Sequence, residues 1–376
     1  MNPLNKVLSF LSSIQLALYA FSGLFIIVLV GTFMQIDHGI YYVQKEYFHS
    51  LFITVPFKGI QLPVFPGGAL IGSVLVLNLT LSTLLKIKFT FKNVGLILIH
   101  IGFIILLLGG GLSSCVVVES QVYMEENDTA FYSEDLYETE LVIIDPSFSR
   151  YDYIVTIPID TLKRQSVIKS DELPFNIKVH QFFDNAQLSL ADSRKGVADM
   201  GIGKSLLVKK VPIFTVDDKK NNPTALLSFS KDDVQSETML LSLDINGTQK
   251  FIFDQKTYYL QIRPKRLYFP FKLTLKSFTH DVYPGSDIPK NYSSLVSINP
   301  YDGSAVRDVL IYMNHPLRYG YYTFYQASFG QDVPSSVLQV VYNKSWYFPY
   351  VSSLIIALGM GFHFFIHLLA FLKKRS

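Results

Sequence analysis

The sequence predicts a mixed membrane protein, with four transmembrane α-helices in a 3+1 order and a large extracytoplasmic all-β domain between the third and the fourth. Three observations lead there. Of the 376 residues 49% are hydrophobic and the mean hydropathy is +0.28, too apolar for an ordinary soluble domain. Four apolar runs, at about 14–34, 68–85, 94–112 and 347–372, approach or exceed the ~20 helical residues that cross a hydrocarbon core of about 30 Å. Between the last two, short Val/Ile/Tyr/Phe-rich segments alternate with Gly, Pro, Asn and Asp clusters, the pattern of strands and turns.

Residues 1–112 form the three-helix segment. The first run is not expected to be a cleavable signal, because it is long and "GTFMQIDHG" after it offers no small-x-small site. An amphipathic outer loop follows at 36–67. Within it Tyr42, Phe48, Leu51 and Phe52 recur at near-helical spacing, which predicts a helix lying on the membrane surface; "LPVFPGG" then ends it. Lys6, Lys86, Lys88, Lys92, Lys373, Lys374 and Arg375 flank the spans on one side, with no Asp or Glu among them. The positive-inside rule makes that side cytoplasmic, so both termini are expected inside and 113–345 outside.

That cap domain carries 24 Lys and Arg against 28 Asp and Glu, a mildly acidic balance that gives no support to nucleic-acid binding. About a dozen strand-like runs, "NIKVHQFF" and "VLQVVY" among them, are enough for a sandwich or barrel. Residues 346–376 are the fourth helix and a basic tail. One cysteine, Cys115, excludes Cys-x-x-Cys redox chemistry and Cys-x-x-Cys-His haem attachment within this chain. "LSSC" around it follows a third span rather than an N-terminal signal, and "GIGKS" at 201–205 lacks the upstream glycine of a phosphate loop.

Three of the eight histidines lie in spans. His100 is eight residues past Lys92, so about 12 Å from the basic edge; His363 and His367 are ten and six residues before Lys373, so about 15 and 9 Å from it. All three share one depth band, and His363 and His367, at i,i+4, share one helix face. A histidine in hydrocarbon faces a partner, a cavity or a ligand, and neutral imidazole is a common axial ligand of haem iron. The plain alternative is a hydrogen bond to a neighbouring helix. No span carries a carboxylate, which argues against a proton pump. His180 and His280 fall in strand runs and are expected to be structural.

Near the end of the cap, "NHPLRYGYYTFYQASFG" (314–330) resembles the Asn-x-Pro-Leu…Gly-Tyr…Tyr-Gln-x-Ser motif of the ResB/CcsB family of cytochrome c biogenesis proteins, the two-component haem-attachment system. Asn314, Pro316, Leu317, Gly320, Tyr325 and Gln326 carry it. "YFPFKLTLKSFTHDVYPGSDIPKNYSSLVSI" before it, "LQVVYNKSW" after it, "VGLILIHIGFIILLLGG" in the third span and "VGTFMQ" in the first are also similar to the family. The middle, about 125–260, matches only in β character. "GTFMQ" lacks a proline often found before that glutamine, and "YNKSW" replaces a more usual Asp-Pro-Gly.

The resemblance implies a chain that helps carry haem b across the bacterial cytoplasmic (inner) membrane and present it to apocytochrome c. It implies a separate ResC/CcsA-like tryptophan-rich membrane partner, since only Trp346 is present here, and a thioredoxin-like reductant for the client thiols. With that partner the chain would form part of a cytochrome c haem lyase; no enzyme activity is implied for it alone. His100 is then the haem axial ligand, while His363 and His367 are further cofactor-binding candidates. Within the periplasmic domain the motif hairpin is read as structural, with His315 a turn residue. Two alternatives remain: a membrane b-type cytochrome with haem held between His100 and His363 or His367, and a haem-free scaffold.

Overall fold

The structure, a computed structural model, describes residues 3–147, 150–191, 196–215, 220–231, 234–285, 289–330 and 335–375. The chain divides into two compact units. One comprises Met1–Val117, Thr215–Asp218 and Asn343–Ser376; the other comprises Val118–Phe214 and Lys219–Tyr342. The described α-helices are α1 (Pro3–Leu11), α2 (Ile14–Val43), α3 (Gly68–Lys86), α4 (Val94–Val116), α5 (Ile159–Arg164) and α6 (Phe348–Arg375). Of these α2, α3, α4 and α6 are long and apolar enough to cross a membrane, as the four runs predict.

In the helical unit α1 is short and separate from α2. Ser13 caps α2, its hydroxyl accepting from the Leu16 N–H at 3.2 Å. The carbonyls exposed at this elbow are satisfied by α3: Asn78, buried, donates to Leu11 O and Ser13 O at 2.7 and 2.9 Å, and Lys86 Nζ donates to Ser12 O at 2.7 Å. Ala20 and Ile27 of α2 pack on Ile71 and Leu75 of α3.

Of the surface helix expected in 36–67, only the part up to Phe48 is helical, and it does not continue through Leu51 and Phe52. Gly39, at φ 73° and ψ 167°, interrupts α2, and the chain turns back so that Val43 and Phe48 lie beside Gly31. A π-helical turn, Gln44–Phe48, completes this fold-back. Leu51 and Phe52, placed on the expected apolar stripe, are instead exposed, and Phe52 opens the hairpin Phe52–Phe57/Ile60–Pro66. β-Branched Ile53, Thr54 and Val55 and the prolines at 56 and 63 favour extended chain, and Lys58-Gly59, both with positive φ, supply the two-residue turn.

Helices α4 and α6 pack along a glycine seam. Gly95, Gly102 and Gly109, seven residues apart, are all buried, and a Cβ on them would come within 2.6 Å of His363, 2.5 Å of Ile356 and 2.5 Å of Phe348 respectively. Small residues let the two backbones approach, which is how apolar helices gain contact where lipid offers no hydrophobic driving force.

The other unit is the β domain. Two long antiparallel strands, Thr129–Asp145 and Lys256–Val282, run through it and serve two cores. At one end they face the strands Asn176–Phe183, Thr224–Lys231 and Met239–Ser242 across a core in which Phe175 meets Phe229, Phe251, Phe253 and Tyr258 edge to face. At the other end the sheet runs in the order Arg307–Tyr312, Pro289–Pro300, Lys256–Val282, Thr129–Asp145, Val118–Glu125, Ser335–Tyr342, Tyr322–Phe329, Leu317–Tyr319. Alternate residues of this path, such as Phe269/Phe271/Leu273/Leu275, Val296/Ile298 and Leu338/Val340, point into one core, as period-two strands require. The path's first and last strands are adjacent in sequence, and an isolated Tyr312–His315 bridge lies at the turn between them. The large β-rich domain expected between the third and fourth spans is present.

Between the cores lies an ion pair, Arg263 Nε to Glu140 Oε1 at 3.0 Å, with both side chains more than nine-tenths buried. "GIGKS" is a 3-10 turn with Gly203 buried under the Leu240 side chain.

Candidate functional site

His100 sits near the start of α4, and its neighbour is α3. Its Nδ1 lies 2.8 Å from the hydroxyl of Thr83, a buried residue whose Oγ1 also donates to Leu79 O at 2.7 Å. The imidazole is partly buried, and its Nε2 makes no hydrogen bond to any described residue. The site therefore offers one ring nitrogen held by the protein and one left over, inside a helix with no charged group. Around α4, His100 is five residues from Gly95, a rotation of about 140° at 100° per residue. It thus lies away from the seam that receives α6.

His363 and His367 are on that α6 side. Their rings are 4.3 Å apart, centroid to centroid, and tilted by 56°. With Ile99, Met360 and Phe364 they line a shallow groove of about 460 Å³. His363 Nδ1 is buried without a hydrogen-bond partner among the described residues, an arrangement that typically costs ~1–3 kcal/mol. The three histidines thus share a depth band but not a site. The structure joins His363 to His367 and sets His100 apart with Thr83. Among the described residues no three His, Cys, Asp or Glu side chains gather as a metal site.

The motif residues make the closing turn of the eight-strand path. Asn314, at φ 63°, reverses the chain after Arg307–Tyr312, and Tyr312 and His315 form a β-bridge across the turn. The His315 ring stacks on Tyr312 at 4.3 Å and 9°, a turn role as expected. Pro316 follows and fixes φ, which suits the residue leading out of the turn. Leu317 is buried and pairs in register with buried Phe324, while Gly320, at φ 58°, makes the next reversal. Gln326 accepts from Ser294 Oγ at 2.6 Å and donates to Ser336 Oγ at 3.0 Å and Ser328 O at 3.1 Å, tying three strands together. Tyr325 departs from a buried role: it is 39% exposed, because strand alternation turns it outward between inward Phe324 and Gln326.

Sequence reasoning found the histidines and the hairpin but missed Thr83 and the glycine seam. The glycines carry a legible signal, a spacing of seven repeated twice. Thr83 carries none, because its role depends on which helices are neighbours.

The comparisons with known proteins agree with the motif. Residues 246–345 match the model of the ResB-like family. That stretch holds the strands from Gln249–Phe253 to Ser335–Tyr342, including the closing turn. The protein NrfI of Wolinella succinogenes is 26% identical over 266 residues, which are 70% of this chain and 26% of that protein. The chain thus spans about a quarter of the length of the curated relative it matches. The chain is thus similar to the ResB-like family through its 246–345 region, and to NrfI over 70% of its length.

Proposed function

We propose that the chain works in cytochrome c biogenesis, as the component that takes haem b, its cargo, through the membrane with His100 as an axial ligand. The observation that carries this reading is the state of His100: Nδ1 is occupied by Thr83 while Nε2 has no hydrogen-bond partner among the described residues. Iron coordination needs an unprotonated ring nitrogen of a neutral imidazole in a fixed orientation. A metal-ligating histidine commonly bonds the protein through its other nitrogen, which is the arrangement here. Ligation would hold the haem in one orientation. The second axial position, the outer attachment site and the pairing of client thiols with haem fall to a ResC/CcsA-like tryptophan-rich membrane partner, apocytochrome c and a thioredoxin-like reductant. The β domain, on the outer side, caps that site. The geometry does not favour the b-type cytochrome, since a haem bridging His100 and His363 would have to reach round α4.

Substitution tests this. His100→Ala in the complex lowers haem content and attached cytochrome c together, and added imidazole restores part of both by filling the vacated position. His363→Ala and His367→Ala leave both near the parent level. Full haem content and normal cytochrome c in His100→Ala would overturn the ligand role. Loss in His363→Ala alone would favour a site in the α4–α6 groove.

A further inference from the structure

We infer that Thr83 is the positioning residue of the His100 site: its hydroxyl selects the imidazole tautomer that leaves Nε2 as the lone-pair nitrogen and aims the ring. This rests on the reading of His100 as an iron ligand and adds to it a residue on a different helix.

The argument is a count of protons. A threonine hydroxyl has one proton to donate and two lone pairs with which to accept. The Thr83 proton is directed to Leu79 O, four residues back in α3, at 2.7 Å. That carbonyl has no proton, so the hydroxyl is the donor in this contact. The contact with His100 Nδ1 at 2.8 Å must then run the other way, from Nδ1–H to Thr83 Oγ1. A neutral imidazole protonated on Nδ1 is unprotonated on Nε2. The relay His100 Nδ1–H to Thr83 Oγ1–H to Leu79 O therefore fixes which nitrogen can meet iron.

It also fixes where that nitrogen points. Thr83 is 6% exposed and β-branched, so its χ1 is held by the helix and by packing. The anchor is in α3 and the ligand is in α4, so the ring direction follows the packing of these two helices. A backbone acceptor on α4 itself would not couple them. The nearby bonds from Asn78 and Lys86 to the α1–α2 elbow hold α3 on both sides of Thr83. The arrangement is the one in which outer partners of metal-binding histidines set tautomer and orientation, where their loss typically lowers metal affinity about 10- to 100-fold.

Two measurements on the full chain test this. The first needs no haem. In detergent-solubilised protein with ¹⁵N-labelled histidine, at a mildly alkaline pH, the His100 signals are identified by their absence in His100→Ala. They should show a protonated Nδ1 and an unprotonated Nε2. Thr83→Val, similar in shape but without the hydroxyl, should shift the population towards protonated Nε2, and Thr83→Ser should keep the parent pattern. The second is haem retention by the complex with its membrane partner. Thr83→Val should lower it about 10- to 100-fold and alter the haem absorption bands, while Thr83→Ser retains both. A His100 already protonated on Nε2 in the parent, or a Thr83→Val protein with unchanged tautomer and unchanged haem retention, would overturn the inference. If His100→Ala keeps its haem, the ligand reading fails instead, and the tautomer measurement still judges Thr83 on its own.

Discussion

Glu140 and Arg263 show how much one residue carries in the β domain. They face each other in register on the two long strands, 7% and 6% exposed, at the joint between the two cores. Glu140→Ala would strand a buried guanidinium whose Nη2 already lacks a partner among the described residues. Breaking a buried pair on one side typically costs about 3–5 kcal/mol, whereas replacing both members by apolar residues of similar volume costs far less. Thermal unfolding of the full chain in detergent should thus show a large loss for Glu140→Ala and a smaller one for a Glu140→Leu/Arg263→Met double variant. Equal losses would mean that the pair itself, rather than the stranded charge, sets the stability. Asp135, on the same strand, works in the opposite sense. Burial raises its pKa, although its carboxylate accepts N–H bonds from Glu138 and Tyr137 at 2.8 and 2.9 Å. A carboxyl whose folded-state pKa is raised contributes stability below its unfolded pKa, and that contribution is lost as pH rises through the folded value. Stability should therefore fall as pH rises just above the ordinary aspartate range. Asp135→Asn, which can still accept those N–H bonds, should remove that slope; an unchanged slope in Asp135→Asn would assign it to another group.

The elements divide by whether their role is local or shared. The α4–α6 seam predicts a contrast between glycines of one helix. Gly102→Ala places a Cβ within 2.5 Å of Ile356 and 3.1 Å of the Ser352 carbonyl, while Gly110→Ala meets nothing within 4 Å. Overpacking of this kind costs typically about 1–3 kcal/mol, so Gly102→Ala should lower the thermal midpoint and the accumulated protein, and Gly110→Ala should not. Equal effects would remove the seam as the cause. In the closing hairpin, Phe324→Ala should cost about 3–5 kcal/mol, and Tyr325→Ala, at an exposed position, much less. Protein level should drop in the first while haem attachment per molecule stays at the parent value; normal levels with attachment lost would make the hairpin part of the reaction site. These cases also show what could be read in advance. Asn176–Phe183 is a strand from end to end where "NIKVHQFF" predicts one, because β-branched and aromatic residues fill it. Val118–Glu125 was not legible: "VESQVYME" mixes two glutamates into a strand whose only deeply buried apolar side chains are Val122 and Met124. The surface helix expected after the first span ends at Phe48 and folds back, because its apolar spacing ignored Gly39, which lets the chain return to Gly31. His100 was legible as an imidazole in a span. Its partner was not, because a contact between two residues 17 apart in sequence, on different helices, follows from packing and leaves no periodic trace.

At the scale of the whole chain the charges and the aromatic residues make one statement about orientation. Lys373, Lys374 and Arg375 close α6, and Trp346, Tyr347 and Tyr350 stand at its opening. Amphipathic rings collect at membrane–water interfaces and basic residues collect on the cytoplasmic side, so by this rule α6 would run inward. The helical unit agrees with this at its other basic sites. Lys86 ends α3, and its bond to Ser12 O brings the α1–α2 elbow to the same level, close in sequence to Lys6. Lys92 precedes α4, whose far end carries the exposed thiol of Cys115. If the basic ends are cytoplasmic, Cys115 opens on the outer side and Ser376 lies inside. The single native cysteine makes this testable with little alteration. A membrane-impermeant maleimide added to intact bacterial cells, with the outer membrane made permeable, should label the parent chain and not Cys115→Ser. Moving the thiol to the tail, as Cys115→Ser/Ser376→Cys, should abolish labelling until the inner membrane is also opened. A reporter inserted at the exposed turn between Gly247 and Thr248 should be active only in its outer-compartment form. Labelling of the tail thiol in intact cells, with Cys115 protected, would reverse the orientation. His100 would then stand near the outer edge, the β domain would face the cytoplasm, and a cap over an outer haem-attachment site could not be built from this chain.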